Sequence, residues 1–364
     1  MSKARQLADN GASTGHKNLV INGGMQVHQR GGTITLGTGL TTTLDRMTFY
    51  KSHAGTNTVE QSTDAPVGFS HSLKAITTVA DSSVAATDRV ALLYRVEGLD
   101  AAKLEFGSAN AKTITISFYV RSSITGTHGG AVGNGSDNRA YPFTYTISSA
   151  DTWERKSITV AGDTTGTWAT TSARSLQVAW GLGVGSTYSG SAGAWEAADR
   201  NSATGATTGV LTTANATWYI TGIQIEVGSY STPFEHKSYA QDLLDCQRYL
   251  FCIDATDDNE GSGERAFGLG TYYNDTSVII YIDTPVEMRA TPSLEVNLNG
   301  SSQWLQSYVG ATGSNTNAGL NVGQNGNNTA HRLYFTSSHS GRTAGQSSWN
   351  QITDGARFLM KAEL

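Results

Sequence analysis

Alternating apolar and polar residues recur throughout residues 18–228, and this pattern constrains the fold more than any other feature of the sequence. The segment KTITISFYVRSS at 112–123 is an example, because its apolar side chains fall at every second position. These are Ile114, Ile116, Phe118 and Val120. A period of two is typical of a β-strand that buries one face. The segment therefore predicts a half-buried strand.

Nine segments of this kind occur in residues 18–228, separated by turns rich in Gly, Ser, Asn and Asp. They are NLVINGGMQV, TLDRMTFYKS, HSLKAITTV, RVALLYRVEG, KTITISFYVRSS, AYPFTYTIS, WERKSITVAG, RSLQVAWGLGV and TWYITGIQIEVG. No helical period lies between them. Such a series is typical of a two-sheet antiparallel sandwich. We therefore predict an all-β chain in which residues 18–232 form a jelly-roll-type β-sandwich domain.

The composition excludes several classes of partner. Charged residues make up 15% of the chain, whereas about 25% is usual, and the net charge is −5. No Lys/Arg cluster is present, so a nucleic-acid face is excluded. No apolar run approaches the roughly 20 residues of a membrane span, and the N-terminal segment lacks the apolar core of a signal peptide. We expect a soluble protein made in the cytoplasm without a signal peptide, with no membrane insertion.

The period changes within residues 222–251, GIQIEVGSYSTPFEHKSYAQDLLDCQRYLF. Apolar residues alternate up to Val227, and Pro233 then removes a backbone donor and ends the strand. Ser238 and Gln241 have the form of a helix capping box. Apolar residues follow at steps of four, three and four, namely Tyr239, Leu243, Cys246 and Leu250. This predicts a helix of about three turns, within a linker at 233–252, that lies on the sandwich or forms a subunit seam.

Six further strand-like segments predict a smaller C-terminal β domain at 253–364. They are AFGLGTYY, SVIIYIDTPV, SLEVNL, QWLQSYVG, HRLYFTSS and ARFLMKAEL. The Asn- and Gly-rich residues 310–328 are expected to form a long surface loop. Residues 1–17 are polar and are predicted to form an N-terminal arm.

Motifs for catalysis and for metal binding are weak. Glu235 and His236 are adjacent on an extended segment and point to opposite sides, so we interpret them as turn residues with local hydrogen bonds and not as an acid–base pair. The acidic turn DATDDNEGSGE at 254–264 does not fit an EF-hand loop, although a looser calcium site in this loop stays open. Cys246 and Cys252 are expected to be buried thiols and not zinc ligands. We expect a chain that is not an enzyme and has no cofactor and no metal.

Aromatic residues give the better functional hypothesis. Trp168, Tyr188 and Trp195 are candidate ligand-binding residues, and the last two fall in a stretch of small residues at 181–209. Exposed rings in such a stretch suit stacking against a sugar or against a neighbouring subunit. The alternative is that Trp195 folds back over the edge of the sandwich.

Several segments together resemble the tail-fibre and related virion proteins of tailed bacteriophages. They are NLVINGGMQVHQRG, LDRM, WYITGIQIEVGSYSTPFEHKSYAQDLLDCQRYLF, TPVEMRATPSL and KAEL. The opening SKARQLAD is similar to an N-terminal segment that recurs in fibre-like proteins of marine phages. The resemblance covers nearly the whole chain and implies a sandwich like that of a carbohydrate-binding module. It assigns no catalytic residue.

The resemblance also implies a role. It implies a homotrimeric virion surface protein, a short tail fibre that contacts a host glycan or receptor and joins other virion proteins through the arm at 1–17. The alternative is a decoration protein of the capsid or collar, or a head fibre. A third hypothesis, depolymerisation of host polysaccharide, predicts the release of oligosaccharide.

Overall fold

The computed structural model describes residues 17–255, 265–275, 277–297, 305–309, 312–316, 320–323, 330–336, 342–352 and 356–364. The chain divides into two compact units, Met1–Asp242 with Leu364, and Leu243–Glu363. Except for Lys17, the predicted arm at 1–17 lies outside the described residues. The same holds for the acidic turn at 254–264, except for its first two residues.

The first unit is built almost entirely of strands. In chain order they are β1 (Ile34–Thr35), β2 (Gly39–Thr42), β3 (Met47–Lys51), β4 (Thr56–Ser62), β5 (Ser72–Val79), β6 (Arg89–Glu97), β7 (Ile114–Ser122), β8 (Gly126–Asn134), β9 (Ala140–Ile147), β10 (Glu154–Val160), β11 (Arg174–Val184), β12 (Ser189–Gly190), β13 (Ser202–Ala203) and β14 (Thr217–Val227). Two four-residue helices, α1 (Gly98–Ala101) and α2 (Gly209–Thr212), interrupt them.

Two six-stranded antiparallel sheets form a sandwich. Sheet I has the strand order β1-β4-β5-β14-β7-β10, and sheet II has the order β2-β3-β6-β11-β8-β9. Their inner faces share one hydrophobic core, in which the ring of Phe118 on β7 lies 5.7 Å from that of Trp180 on β11. The predicted apolar set of β7 is buried there. The fold class predicted from the sequence is thereby confirmed.

The first half of the outer face of β7 is also buried, whereas Tyr119 and Arg121 on the same face are partly exposed. The prediction of a half-buried strand is therefore wrong for the first half of β7 only. Thr115 and Ser117 are 0% and 2% exposed. Beside them on β14, Glu226 is 3% exposed and accepts hydrogen bonds from the backbone N–H and the hydroxyl of Thr232, at 2.8 and 2.7 Å. The segment that follows β14 therefore folds back over the outer face of sheet I.

A β-bulge at Gly222 resolves an irregularity in the sequence pattern. Ile220 and Ile223 are three residues apart, which in a regular strand would place them on opposite faces. The register of β14 against β7 shifts between Thr221 and Gln224, and Gly222 has φ 61°. One extra residue in the bulge turns both isoleucines to the core, where each is 0% exposed.

The predicted strand NLVINGGMQV at 18–27 is not a regular strand, because Asn22 and Met25 have φ of 58° and 56°. The segment nevertheless docks on β14. Asn18 donates its side-chain N–H to the carbonyl of Ile223 at 3.1 Å, and its side-chain oxygen accepts from the N–H of Ile225 at 3.0 Å. Its backbone N–H donates to the carboxylate of Glu235 at 2.9 Å. We call these contacts the junction.

Four strands of the sandwich were not predicted: β1, β2, β4 and β8. The sequence of β8, GTHGGAVGN, lacks the apolar alternation of a strand. Its glycines allow close packing instead, since a Cβ on Gly130 would lie 2.4 Å from the ring of Phe143 and from the carbonyl of Ala179. Packing of neighbouring groups against a bare backbone leaves no periodic signal in the sequence.

The predicted helix is present as α3 (Tyr239–Gln247), nine residues or about two and a half turns. The Oγ of Ser238 accepts from the N–H of Gln241 at 3.3 Å, which confirms the serine half of the capping box. Cys246 is buried, but Tyr239 is 55% exposed and Leu250 already belongs to the next strand. The predicted apolar stripe is therefore wrong at both ends. Cys246 and Cys252 are both thiols, and Cys252 is half-buried.

The second unit contains a three-stranded and a seven-stranded antiparallel sheet. Its strands are β15 (Leu250–Asp254), β16 (Arg265–Tyr272), β17 (Ser277–Asp283), β18 (Ser293–Asn297), β19 (Leu305–Val309), β20 (Thr312–Thr316), β21 (Leu320–Gly323), β22 (Ala330–Thr336), β23 (Ser347–Ile352) and β24 (Arg357–Lys361). The strand orders are β15-β24-β18 and β20-β19-β23-β16-β17-β22-β21.

Two predictions for this unit need correction. The loop expected at 310–328 contains β20 and β21. Strand β23, SSWNQI, was missed because its inward positions are partly polar. Asn350 is buried there, and its side chain donates to the carbonyl of Gly268 at 3.0 Å and accepts from the hydroxyl of Ser307 at 2.5 Å.

We expect Asn18→Ala to lower the free energy of unfolding by about 1–3 kcal/mol, because it leaves the N–H of Ile225 and the carbonyl of Ile223 without the side chain that bonds them. Urea denaturation of the purified chain measures this. Asn110 is exposed and provides the control, since Asn110→Ala should change the value by less than about 0.5 kcal/mol. Equal effects of the two substitutions would contradict the role given to Asn18.

Candidate ligand-binding clefts

The predicted residue Trp168 lines a cleft of about 220 Å³ beside α1, which we call the aromatic cleft. The short helix and the turn after it supply one wall, and the segment from 168 to 170 supplies the other. The lining residues are Ala101, Ala102, Leu104, Glu105, Phe106, Ser108, Trp168, Ala169, Thr170 and Ser175. The wall is therefore mainly apolar, and most of the polar groups are hydroxyls.

The ring of Trp168 is held from two sides. Its centroid lies 4.8 Å from that of Phe106 and 5.6 Å from that of Trp195, in both cases edge to face. The indole N–H donates to the carbonyl of Thr165 at 3.1 Å. Edge-to-face pairs at these distances are favourable, so the orientation of the ring is set before any ligand arrives.

Trp195 folds back over the edge of the sandwich, as the alternative interpretation expected. Its indole N–H donates to the carbonyl of Ala161 at 2.7 Å, and its ring packs against Tyr141 and against the hydrophobic core. Trp195 does not line the aromatic cleft. Its role here is to support the ring of Trp168 from behind.

A buried ion pair fixes the loop that carries Trp168. The guanidinium of Arg139 donates to both oxygens of Asp163, at 2.9 and 2.7 Å, and Asp163 is 2% exposed. The same carboxylate accepts from the hydroxyl of Thr165 at 3.0 Å. Burial alone would raise the pKa of Asp163, but the hydrogen bonds from Arg139 and Thr165 outweigh it and hold this pKa below its ordinary value.

The polar rim of the aromatic cleft is on the side of Glu105. This residue has φ 56°, in the left-handed region, and its carbonyl accepts from the hydroxyl of Ser108 at 2.7 Å. Its carboxylate pairs with the ammonium of Lys112 at 2.6 Å. An apolar wall with an aromatic ring and a few polar groups at the rim is the composition of a small-molecule site. A sugar ring matches it, because one face of the ring presents C–H groups and its edge presents hydroxyls.

A second cleft, of about 140 Å³, lies on the outer face of sheet II, and we call it the arginine cleft. Leu93 lines it and belongs to a small buried cluster with Ala91 and Ala179, against which Tyr50 packs. The lining residues are Leu40, Tyr50, Arg89, Leu93, Arg95, Asp137, Arg174, Gln177, Asp199 and Asn201. Most of these side chains are polar or charged.

The predicted residue Tyr188 lies at this second region, away from Trp168 and Trp195. The guanidinium carbon of Arg89 is 3.7 Å from the ring centroid of Tyr188 and 4.0 Å from that of Tyr50. Arg89 also donates to Asp199 at 3.0 Å and to Asn201 at 2.6 Å. This arrangement ties the 186–201 segment to sheet II. Tyr188 packs against Arg89 but does not line the arginine cleft.

Sequence reasoning missed the polar lining of the arginine cleft. Arg89 and Arg95 occupy polar positions of β6, which is mostly apolar, and Gln177 on β11 pairs directly with Arg95. Their alternation marks an outward face, but the strand pairing that brings them together is not visible in the chain. Tyr50 is likewise placed by its pairing with Ala91.

Glu235 and His236 have structural roles. Glu235 makes the long-range contact with Asn18 described above, and its backbone N–H donates to the side-chain oxygen of Gln224 at 2.8 Å. The ring of His236 packs 5.2 Å from Phe69 and 4.9 Å from Phe234. Among the residues that the structure describes, no three or more His, Cys, Asp or Glu side chains are grouped as metal ligands. In the same residues, no helix has the length and apolar content to cross a membrane.

Comparisons with known proteins show only distant likeness. No protein-family model matches the chain, and no curated protein matches it. Among solved structures, the enzymatically active domain of tailspike protein 4 of bacteriophage CBA120 is similar at 11% identity and a TM-score of 0.34, over 58% of this chain and 22% of that one. This chain thus spans about a fifth of that tailspike domain.

Two further similar structures are a putative sugar binding protein and a carbohydrate-binding module. A putative sugar binding protein from Bacteroides thetaiotaomicron matches at 8% identity and a TM-score of 0.33, over 58% of this chain and 100% of that one. A family 11 carbohydrate-binding module from Clostridium thermocellum, in complex with a mixed-linked tetrasaccharide, matches at 10% identity and a TM-score of 0.28. The match covers 55% of this chain and 98% of that one. At TM-scores this low, none of these likenesses carries an argument about function.

We expect the ion pair below the aromatic cleft to make stability depend on pH. Because the pKa of Asp163 is lower in the folded chain, its stabilisation is present above the ordinary Asp pKa of about 3.9 and is lost as the pH falls through the lower folded value. Asp163→Asn should therefore lower the free energy of unfolding at pH 7 by about 3 kcal/mol, and the difference should shrink in acid. Denaturant midpoints measured from neutral to acid pH test this.

The control for this experiment is Asp151→Asn. The side chain of Asp151 is 54% exposed and lies 3.7 Å from Arg121, so its loss should cost less than about 1 kcal/mol. The free energies of unfolding of the Asp163→Asn chain and the unaltered chain should not differ by the same amount at all pH values. A constant difference would refute the role of the ion pair.

Proposed function

We propose that this chain is a virion surface protein of a tailed bacteriophage and that it binds a glycan of the host surface in the aromatic cleft. The observation that supports binding is the cleft itself, in which a ring of fixed orientation, Trp168, stands opposite an apolar wall and beside a polar rim. Loops at the edge of a rigid sandwich are a common position for binding residues.

The geometry favours a sugar over a fully apolar ligand. Stacking of the C–H face of a sugar on Trp168 leaves the ring hydroxyls directed to the rim, where Glu105, Ser108 and Thr170 offer a carboxylate and hydroxyls. Because Phe106 and Trp195 already hold the indole, little side-chain entropy is lost on binding.

Binding without catalysis fits this cleft better than glycan cleavage does. Glycoside hydrolysis generally uses a pair of carboxyl groups on either side of the scissile bond. The lining of the aromatic cleft contains one carboxylate, Glu105, which is paired with Lys112. We therefore propose that the chain is not an enzyme. Release of oligosaccharide from host polysaccharide by the purified chain would contradict this.

The virion role rests on the resemblance to tail-fibre and related virion proteins. Its most specific segment is GIQIEVGSYSTPFEHKSYAQDLLDCQRYLF, and in the structure Ile223, Ile225 and Glu235 of this segment contact Asn18 of the NLVINGGMQVHQRG segment. The resemblance therefore concerns residues that act together in the structure. We favour a short tail fibre that joins the particle through residues 1–17. A capsid or collar decoration protein, or a head fibre, is the alternative.

Self-association, as a homotrimer, is part of the proposal. The outer face of the seven-stranded sheet carries exposed apolar residues, among which Leu269 on β16 pairs directly with Trp349 on β23. These side chains are 77% and 45% exposed, and Tyr281 on the adjacent β17 is 65% exposed. Exposed apolar residues grouped on one sheet face favour an interface with another copy of the chain.

We expect Trp168→Ala to weaken glycan binding about tenfold or more, because the stacking surface is lost. An array of bacterial surface oligosaccharides identifies a ligand, and calorimetry then compares the variants. Trp168→Phe keeps an aromatic ring and should retain part of the affinity. Trp153→Ala is the matched control, since Trp153 lies directly before β10 of sheet I and donates to Asp64. Equal binding by a folded Trp168→Ala chain would contradict the proposal.

For the virion role, we expect gold-labelled antibody against the chain to mark the phage tail in electron micrographs and to block adsorption. Label on the capsid with unchanged adsorption would favour the decoration protein instead.

Sedimentation equilibrium of the purified chain should give the mass of three copies. A monomer at all concentrations would refute the homotrimer without affecting the assignment to tail or capsid.

A further inference from the structure

The two segments that form the walls of the aromatic cleft are joined by backbone hydrogen bonds at two places. The N–H of Leu99 donates to the carbonyl of Thr171 at 3.0 Å, and the N–H of Gly107 donates to the carbonyl of Asp163 at 2.7 Å. A Cβ on Gly107 would lie 3.1 Å from the indole of Trp168, so the backbone packs directly against this ring. The distance between the walls is therefore fixed, and a ligand must fit the space that is already there.

The walls present mainly carbon atoms to this space. Besides Trp168, the apolar side chains of the lining are those of Ala101, Ala102, Leu104, Phe106 and Ala169. A sugar hydroxyl placed against such side chains would lose its hydrogen bonds to water and gain none, which is unfavourable. The part of the ligand that faces this lining is therefore apolar.

The polar groups at the rim have few hydrogen-bonding positions left. The hydroxyl of Ser108 donates to the carbonyl of Glu105 at 2.7 Å and accepts from the N–H of Asn110 at 3.1 Å, so one acceptor position remains. The carboxylate of Glu105 is paired with the ammonium of Lys112 at 2.6 Å. A plain hexose has a hydroxyl group on almost every carbon and needs more partners than this rim supplies. The cleft therefore favours a sugar in which an apolar group replaces one hydroxyl.

We propose that the sugar bound in the aromatic cleft carries a methyl group, an inference that rests on the glycan binding proposed above. The C–H face of the sugar ring stacks on Trp168, and the methyl group contacts Ala101 and Ala102 on the other wall. A methyl group of this kind is present in a 6-deoxyhexose and in the acetyl group of an N-acetylated amino sugar. The volume of about 220 Å³ is below the roughly 300–1,000 Å³ of pockets for drug-sized ligands, so the cleft holds one sugar residue with its substituent.

The experiment is NMR titration of the full chain with pairs of sugars that differ only at the methyl group. L-Fucose is paired with L-galactose, and L-rhamnose with L-mannose, because the second member of each pair has a hydroxyl group on the same carbon. N-acetylglucosamine is paired with N-formylglucosamine, in which a hydrogen atom replaces the methyl group. We expect the methyl-bearing member of at least one pair to bind about tenfold tighter or more, since one carbon group in an apolar pocket changes affinity by roughly that factor. The pair that shows the preference identifies the kind of sugar.

Ala102→Leu should remove most of this preference, because the larger side chain occupies the space of the methyl group. Ala109→Leu is the matched control, since Ala109 is exposed in the turn after α1 and does not line the cleft. It should leave the preference unchanged. The sugar pairs use the unaltered chain, so they test the proposal even where Ala102→Leu does not fold.

Three results would overturn the proposal: equal affinity for both members of every pair, an unchanged preference in the folded Ala102→Leu chain, or no binding of any methyl-bearing sugar up to tens of millimolar concentration. The first two would leave glycan binding by the chain intact. After the third result, the oligosaccharide array and the Trp168→Ala chain would still decide separately whether the cleft binds a glycan.

Discussion

The sandwich depends on how the end of β14 is covered and bonded. The bulge at Gly222 directs Ile220 and Ile223 to the core and opens the backbone beyond it. The side chain of Asn18 fills that opening by bonding the carbonyl of Ile223 and the N–H of Ile225. Buried backbone groups must be paired, so a segment two hundred residues earlier in the chain completes the strand. The junction thereby joins the start of the sandwich to its end.

The two candidate clefts are held in shape by contacts away from this junction. In the aromatic cleft, Asp163 links Arg139 to Thr165, and the carbonyl of Thr165 receives the indole N–H of Trp168. In the arginine cleft, the guanidinium of Arg89 bonds Asp199 and Asn201 and so helps to hold the 186–201 segment to sheet II. Both clefts are held in shape by buried or stacked charge, so a ligand would meet prearranged groups. Their chemistries differ, one being apolar with hydroxyls and the other rich in arginine.

Regular strands could be predicted wherever burial imposed alternation. The inward set of β7 was correct, as was the start of α3 at Ser238. The failures have physical causes in particular segments. Strand β8 has glycines, against which the ring of Phe143 packs, in place of alternating apolar side chains. Strand β23 buries Asn350 instead of an apolar residue. Residues 18–27 contain strand-like alternation but bend at Asn22 and Met25. Of the candidate site residues, Trp168 lines a cleft, Trp195 supports it, and Tyr188 belongs to a different region.

The sequence by itself determined the fold class, the change of period after β14 and the capped helix that follows, because these depend on neighbours within a few residues. It also indicated that aromatic residues near the end of the sandwich deserve a functional hypothesis. Tertiary structure alone decided which side chains share a cleft. Strands β3, β6 and β11 bring Tyr50, Arg89 and Gln177 onto one face, although more than a hundred residues separate the first from the last. Such pairing is set by the burial and hydrogen bonding of whole sheets, which no local pattern records.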